Sequence, residues 1–214
     1  MEVAYYRRMV SRQNEELDRI RAAAVGPVTR QQVLAKSLGL LKQAADAGGV
    51  ESGLTLADKV FNQFKEHGQL LHHYGQLLVH RGDLEEALHF LRVALKYDDE
   101  LAAAHNDLAS VLIAVGKPDQ ATHHMTEATR CEPDNLMYLE NLGDLYLIAG
   151  NVELALRTYH DILGKQPANN DLRFKIAQVY AESHQHPEAV ELCYALIEQD
   201  PGHPGAKRLL SQLG

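Results

Sequence analysis

Histidine is the residue type in this 214-residue chain that most directly suggests chemistry, because twelve imidazoles are present and imidazole binds metals and transfers protons near neutral pH. Two adjacent pairs occur, His72–His73 and His123–His124. Adjacent side chains on a helix point roughly 100° apart, so neither pair is expected to converge on one ligand. The sequence contains no HExxH motif, the spacing that places two histidines on one helix face for zinc. We therefore expect ordinary surface histidines and no metal or other cofactor, with a pH-sensitive groove through His72, His73 and His80 as an alternative.

Other residue types give no stronger sign of catalysis. Carboxylate pairs such as Glu85–Glu86 and Asp98–Asp99 fall in turns or first helical turns, where negative charge favours the helix dipole. The sequence contains no GxSxG, GxGxxG or P-loop motif. Cys131 and Cys193 are far apart and outside any CxxC, so their spacing indicates neither a metal nor a redox site. The sequence thus predicts a protein that is not an enzyme.

Charge and composition limit the partners that the chain can bind. Residues 1–50 carry eight Lys/Arg against five Asp/Glu, whereas residues 51–214 carry 13 against 24. An acidic chain is a poor nucleic-acid binder, because that affinity depends on neutralising phosphates. It suits a neutral or basic protein segment instead. The absence of a signal sequence or a membrane-spanning apolar run, together with two isolated cysteines, leads us to expect a cytoplasmic location.

The elements that would position binding residues recur with a period of 34 residues. Three ladders of residues follow this period: Gly82, Gly116, Gly150 and His184; Ala87, Ala121, Ala155 and Ala189; and Asp99, Pro133, Pro167 and Pro201. Self-similarity at a fixed period of this size is typical of stacked-repeat architectures. Such arrays bind other molecules along an extended surface.

Each period reads as two helices joined by a turn. In the first one, Leu71, Tyr74 and Leu78 form one helix face, and Gly82 ends that helix. Asp83 is expected to cap the next helix, with Glu86 completing a capping box. The alanine ladder and the large apolar residue four positions later form the buried face of the second helix.

This pattern resembles the tetratricopeptide repeat family. Small residues recur at Gly75, Ala109, Gly143 and Ala177, where the family packs one helix on another. The resemblance implies an all-α, right-handed α-solenoid with helical caps. The repeats are predicted at residues 68–101, 102–135, 136–169 and 170–203, and a capping helix at 204–214. The sequence departs from the family pattern at Asp99, at His184 and at the early tryptophan, which is absent.

The N-terminal third matches this pattern less well. Residues 1–27 are predicted to form a basic amphipathic helix, and residues 28–67 a degenerate repeat or helical N-cap. Within the latter, Ala57 follows Gly48 at a larger interval than in the other units, which predicts a longer turn at 48–54. Three hypotheses remain for the helix predicted at residues 1–27. It caps the array, it is a loose or partner-induced segment, or it docks into the groove of another copy and produces an oligomer.

The resemblance implies a concave face that is lined by the first helix of each repeat. Transferring the family's slots to this sequence gives a predicted protein-binding groove of Gln69, His72, His73, Gln76, Asn106, Asp107, Ser110, Met137, Glu140, Asn141, Asp144, Phe174, Lys175 and Gln178. One family subtype uses Lys, Asn and Arg in these slots to bind a C-terminal carboxylate. The required fixed positive charges are missing here, and Asp107 would repel such a ligand, so the sequence argues against that subtype.

The interpretation that follows is a noncatalytic scaffold or adaptor. It would bind a neutral or basic protein segment in the groove, with self-association through the N-terminal helix as an additional hypothesis. Two alternatives stay open. The chain could be the repeat module of a larger enzyme such as a glycosyl- or sulfotransferase, or a dedicated chaperone for one exported substrate.

Overall fold

The structure is a computed structural model that describes residues 30–46, 48–64 and 66–214. Within these residues it contains helices and no strands, which confirms the predicted all-α fold class. Five helix pairs follow one another: α1 (Arg30–Asp46) and α2 (Val50–Phe64), α3 (Gly68–Arg81) and α4 (Leu84–Tyr97), α5 (Ala102–Ala114) and α6 (Pro118–Cys131), α7 (Leu136–Ile148) and α8 (Val152–Lys165), α9 (Asn170–Glu182) and α10 (His186–Gln199), before a final helix α11 (Pro204–Leu213). None of the described helices is long and apolar enough to cross a membrane. The helix predicted for residues 1–27 lies outside the described residues.

The chain divides into two compact units, one ending at Lys117 and the other beginning at Pro118. This division falls inside the predicted repeat 102–135, and the repeat boundaries stay a prediction. The first unit buries Leu41, Leu70 and Leu77 in its core. In the second unit, Tyr159 and Ile176 lie in one apolar cluster, and a further cluster brings Cys193, Leu196 and Ala206 together beside α11.

The turn inside each helix pair explains the glycine ladder. Five residues at intervals of 34 have a positive φ: Gly48 at 70°, Gly82 at 93°, Gly116 at 74°, Gly150 at 76° and His184 at 63°. After each of them, the next amide bonds a carbonyl five residues back, as from Asp83 to Leu78 at 3.0 Å. This is the Schellman motif, and glycine adopts its left-handed conformation without a Cβ clash. The 34-residue spacing is therefore the spacing of helix ends.

The longer turn predicted at 48–54 is wrong. Helix α2 begins at Val50, two residues after Gly48, which is the interval that separates Gly82 from Leu84. The alanine ladder extended by one period falls on Gly53, not on Ala57. A Cβ on Gly53 would lie only 2.8 Å from Leu77 Cδ1, so the space that an alanine would occupy is already filled. The register is kept and the residue is changed, which supports the proposal that this stretch is a fifth repeat.

The capping box predicted for Asp83 and Glu86 is also wrong. The Asp83 side chain makes no capping hydrogen bond to α4. Its carboxylate pairs with Arg81 instead, and Glu86 lies 3.5 Å from the same guanidinium. Side-chain caps occur at other helices, where Asn135 accepts from the Tyr138 amide and Asn169 from the Leu172 amide. The ion pair with Arg81 thus replaces the capping hydrogen bond that the local sequence pattern predicted for Asp83.

Replacing His184 with glycine is expected to raise the free energy of unfolding by up to about 1 kcal/mol. A non-glycine residue in the left-handed region destabilises the folded chain by about 1–2 kcal/mol, and glycine removes this cost. Part of the resulting gain is offset by the greater freedom of glycine in the unfolded chain. Urea unfolding followed by circular dichroism measures the change. His186→Gly is the control, because His186 begins α10 and glycine weakens a helix. An unfolding midpoint that falls with His184→Gly would show that the histidine ring contributes more than its backbone loses.

Candidate functional site

The predicted groove residues all lie on the first helix of a helix pair, which we call a first helix. In the first unit they occupy α3 and α5, and in the second unit α7 and α9. We name the two surfaces by these helices. The α3–α5 face comprises Gln69, His72, His73, Gln76, Asn106, Asp107 and Ser110, and the α7–α9 face comprises Met137, Glu140, Asn141, Asp144, Phe174, Lys175 and Gln178.

Asp107 is the centre of a polar network on the α3–α5 face. The expectation of surface histidines is wrong for His72, which is only 4% exposed, and for His105 on α5, which is 7% exposed. The Nε2 atom of His72 lies 2.7 Å from Asp107 Oδ2. Gln76 Nε2 donates to the same oxygen at 2.8 Å, and Asn106 Nδ2 donates to Oδ1 at 3.0 Å. Because an ionised carboxylate only accepts hydrogen bonds, the His72 contact places a proton on Nε2. Asp107 is thus already solvated by its own chain, a point that sequence reasoning missed.

The adjacent histidines reach different atoms, as their divergence predicts. His73 Nδ1 lies 2.9 Å from Gln76 Oε1, while His72 bonds Asp107. Burial lowers the pKa of His73 below its ordinary value, and the hydrogen bond to Gln76 opposes this only in part. At neutral pH the His73 ring is therefore uncharged, and it offers hydrogen bonding and ring surface to a ligand.

Lys175 holds the α7–α9 face together. Its Nζ lies 2.9 Å from Glu140 Oε1, 2.6 Å from Asp144 Oδ1 and 5.2 Å from the centroid of the Tyr159 ring. The Tyr159 hydroxyl donates to the same oxygen of Asp144. Burial lowers the pKa of Lys175, but the hydrogen bonds to Asp144 and Glu140 outweigh it, so this pKa lies above its ordinary value. The ammonium group stays charged at neutral pH.

The two faces use the same pair of sequence separations. Asp107 contacts residues 35 and 31 positions before it, His72 and Gln76. Lys175 likewise contacts residues 35 and 31 positions before it, Glu140 and Asp144. In each unit, one residue of the later first helix therefore bridges two residues, one turn apart, of the earlier first helix. The bridging residue has the opposite charge in the two units, since it is an acid in the first and a cation in the second.

Several predicted residues remain accessible, and one is largely used in packing. The exposed residues of the predicted set are Gln69, Ser110, Met137 and Gln178. The Phe174 ring lies 5.0 Å from the His203 ring, and its Cζ would be 2.6 Å from a Cβ on Gly205. Much of that ring is engaged by the start of α11, and its part in binding stays a prediction.

Sequence reasoning missed Tyr159 and Ile148. Tyr159 belongs to a second helix, yet its hydroxyl reaches Asp144 on α7. The available signal was the position of Tyr159 in the 34-residue register. It faces Gly143, and the other repeats have a residue smaller than tyrosine at the matching position. Ile148 ends α7 and is 59% exposed. The signal for Ile148 was its position eleven residues after Met137 on the same helix.

The described part of the chain contains no group of three His, Cys, Asp or Glu side chains placed to share a metal ion. What the two faces offer is hydrogen bonding, charge and exposed apolar surface.

The tetratricopeptide repeat is the feature that connects this chain to a known family. A family model of the tetratricopeptide repeat matches residues 78–142 and 146–213. Tetratricopeptide repeat-containing protein trd-1 of Caenorhabditis elegans is 23% identical over 167 residues, which are 78% of this chain and 21% of that protein. Protein O-mannosyl-transferase TMTC1 of Homo sapiens is 35% identical over 75 residues, which are 35% of this chain and 8% of that protein. This chain therefore spans a minor part of either relative.

A solved structure has the same fold. The crystal structure of YrrB, described as a tetratricopeptide repeat protein with an unusual peptide-binding site, superposes with a TM-score of 0.69 at 18% identity. The match covers 82% of this chain and 90% of YrrB. At this identity, the likeness shows the fold alone.

Proposed function

Since this chain belongs to the tetratricopeptide repeat family, we propose that it is a noncatalytic scaffold or adaptor that binds segments of partner proteins on the α3–α5 and α7–α9 faces. One observation supports this most directly. Polar side chains from neighbouring first helices meet on both faces, and exposed neighbours surround them. The networks link neighbouring first helices, and the exposed residues beside them, Gln69, Ser110, Met137 and Gln178, are available to a partner. The peptide-binding site named for YrrB is consistent with this use of the fold.

The charges of the two faces favour a neutral or basic partner. On the α7–α9 face, Glu140 and Asp144 outnumber the single ammonium of Lys175. On the α3–α5 face, Asp107 is a carboxylate bound by neutral donors. A partner segment with amides, arginine or lysine would complement both faces, and an acidic segment would be repelled.

Affinity capture from the source cells tests this function. Two variants alter exposed residues only, Gln69→Ala with Ser110→Ala on the first face and Met137→Ser with Gln178→Ala on the second. We expect each variant to lose at least tenfold of a specific set of captured proteins. The matched control is Leu154→Ser with Tyr194→Ser, because these residues are 42% and 60% exposed on second helices. Recovery of the same proteins by all forms would place the binding site elsewhere.

Self-assembly is the second part of the proposal, and the uneven charge supports it. The first 50 residues are basic, and the remainder is acidic. We propose that the basic helix predicted for residues 1–27 docks on an acidic face of another copy. Light scattering of the full chain beside a variant with Arg7, Arg8 and Arg12 replaced by glutamate tests this. Equal molar masses for both at high concentration would contradict it.

A second candidate function is a repeat module within a larger enzyme. The similarity to a part of TMTC1, whose name is that of a transferase, favours it. The segment would then present the substrate protein or a partner to a catalytic part elsewhere in the chain, through the same faces. A longer transcript that encodes a transferase part would decide for this candidate. A chaperone for one exported substrate predicts instead that a single captured protein disappears from cells that lack this chain.

A further inference from the structure

Helix α7 exposes two large aliphatic side chains on one line. Met137 is 55% exposed and Ile148 is 59% exposed. Eleven residues of helix make three turns, which separates these side chains by about 16.5 Å along the axis and by only about 20° around it. Asn141 and Asp144 fall between them on the same line. We call these four residues the α7 stripe.

The stripe is specific to this helix among the first helices that carry the two faces. At the positions that match Met137 and Ile148 in the 34-residue register, α3 has Gln69 and His80, α5 has Ala103 and Ala114, and α9 has Asp171 and Glu182. The exposed aliphatic pair is therefore not a by-product of the repeat. Within the described residues, Met137 and Ile148 are among the large apolar side chains that stay exposed, and both lie on one line of one helix.

The centre of the stripe carries a net negative charge. Glu140 and Asp144 contribute two carboxylates, and Lys175 contributes one ammonium. Lys175 uses one oxygen of each carboxylate, Oε1 of Glu140 and Oδ1 of Asp144. The other oxygen of each carboxylate can accept a hydrogen bond from an arginine or lysine of a partner.

The spacing of the aliphatic pair selects a helix over an extended peptide. In a helix, residues eleven apart lie on one face and about 16.5 Å from each other, which matches the stripe. In a strand, about 16.5 Å corresponds to five residues, and side chains five apart point to opposite faces. A helix therefore matches the spacing of Met137 and Ile148 with both anchors on one face, which a regular strand does not at that separation.

Resting on the proposed function, we propose that the α7 stripe is the docking site for an amphipathic helix of a partner. That helix carries two aliphatic side chains eleven residues apart, with arginine or lysine between them. The aliphatic pair contacts Met137 and Ile148, and the cation adds to the network of Glu140, Asp144 and Lys175. Residues at helical spacing supply the anchors, as in other complexes of amphipathic helices.

Three synthetic peptides test the proposal against the full chain. The probe is a twenty-residue helix of alanine and glutamine, labelled with fluorescein, with leucine at its fifth and sixteenth positions and arginine at its ninth and twelfth. The second peptide moves one leucine so that the pair is nine apart and falls on opposite faces. The third has glutamate in place of both arginines. Fluorescence anisotropy should show saturable binding of the probe and at least tenfold weaker binding of the other two.

Variants of the chain locate the site. Ile148→Ser should weaken binding of the probe about tenfold, because removing one buried aliphatic contact is worth about 1.4 kcal/mol or more. Leu154→Ser, which removes an aliphatic residue of α8 that is 42% exposed, should leave the affinity unchanged. Equal losses for both variants, equal binding of the leucine-shifted peptide, or no binding of the probe would overturn the proposal.

The proposed function can fail separately. If the probe does not bind, but Met137→Ser with Gln178→Ala still removes captured proteins, the face binds partners of another shape and only the helix is rejected. If neither measurement responds to changes on this face, the binding function of the face is rejected as well.

Discussion

Replacing Gly143 with alanine should lower the free energy of unfolding of the second unit by about 2 kcal/mol, although alanine is the better helix former. A Cβ at this position would lie 2.4 Å from Cε1 of Tyr159. The Tyr159 ring is fully buried and its hydroxyl is bonded to Asp144, so it has no free space to move into. The expected cost of overpacking, about 1–3 kcal/mol, therefore exceeds the usual gain of up to about 1 kcal/mol from removing a helical glycine.

Thermal unfolding followed by circular dichroism measures this loss, and about 2 kcal/mol corresponds to about 4–8 °C for a chain of this size. The matched control is Gly164→Ala in α8, where a Cβ would meet nothing within 4 Å. Gly164→Ala should leave the stability equal or slightly higher. Adding Tyr159→Met to Gly143→Ala should recover part of the loss, because alanine faces methionine at the matching positions Ala109 and Met125. Equal stabilities of the two glycine variants would show that the ring can move aside.

Replacing Asp144 with alanine should lower the free energy of unfolding by about 2–3 kcal/mol. The main reason is the Tyr159 hydroxyl, whose ring is buried and whose acceptor would be lost. The partly exposed ion pair with Lys175 adds little, since water replaces such a partner readily. Asp144→Asn keeps an acceptor oxygen and should lose about 1 kcal/mol or less.

Urea unfolding of a double-mutant cycle separates these contributions. Tyr159→Phe removes the hydroxyl, so Asp144→Ala should destabilise the Tyr159→Phe background by much less than it destabilises the natural chain. Additive losses would mean that the hydroxyl does not depend on Asp144. The same result explains why the capture experiment avoids Asp144, since a folding defect there would imitate a lost binding site.

The period alone predicts much of the fold, because one physical requirement recurs at each step. Gly82 and Gly150 are spaced by multiples of 34 because each ends a helix in the left-handed conformation. The four alanines of the ladder are likewise fully buried, which favours a small side chain at each step. Where a residue is changed but the space is kept, as at Gly53, a count from the nearest alanine led to a false turn.

The pairings within the faces could not be predicted from local patterns. The neighbours of Asp83 in sequence predicted a helix cap, but its carboxylate forms an ion pair with Arg81 instead. Asp107 and Lys175 were correctly placed on first helices, yet their partners lie one helix pair earlier in the chain. Such contacts depend on the offset between stacked helices, which composition and periodicity do not reveal. Knowledge of the separations of 35 and 31 residues would have allowed the partners of Asp107 and Lys175 to be predicted.

Because of that offset, the side-chain pairing of one helix pair depends on which helix pair precedes it in the chain. Lys175 needs acids at the two earlier positions, and Asp107 needs hydrogen-bond donors there. If the segment 170–203 were duplicated, the new lysine would meet Phe174 and Gln178 and find no counter-ion. A copying error in the gene would thus produce a junction without the ion pairs of Lys175, so the place of segment 170–203 in the chain is tied to the acids of the segment before it.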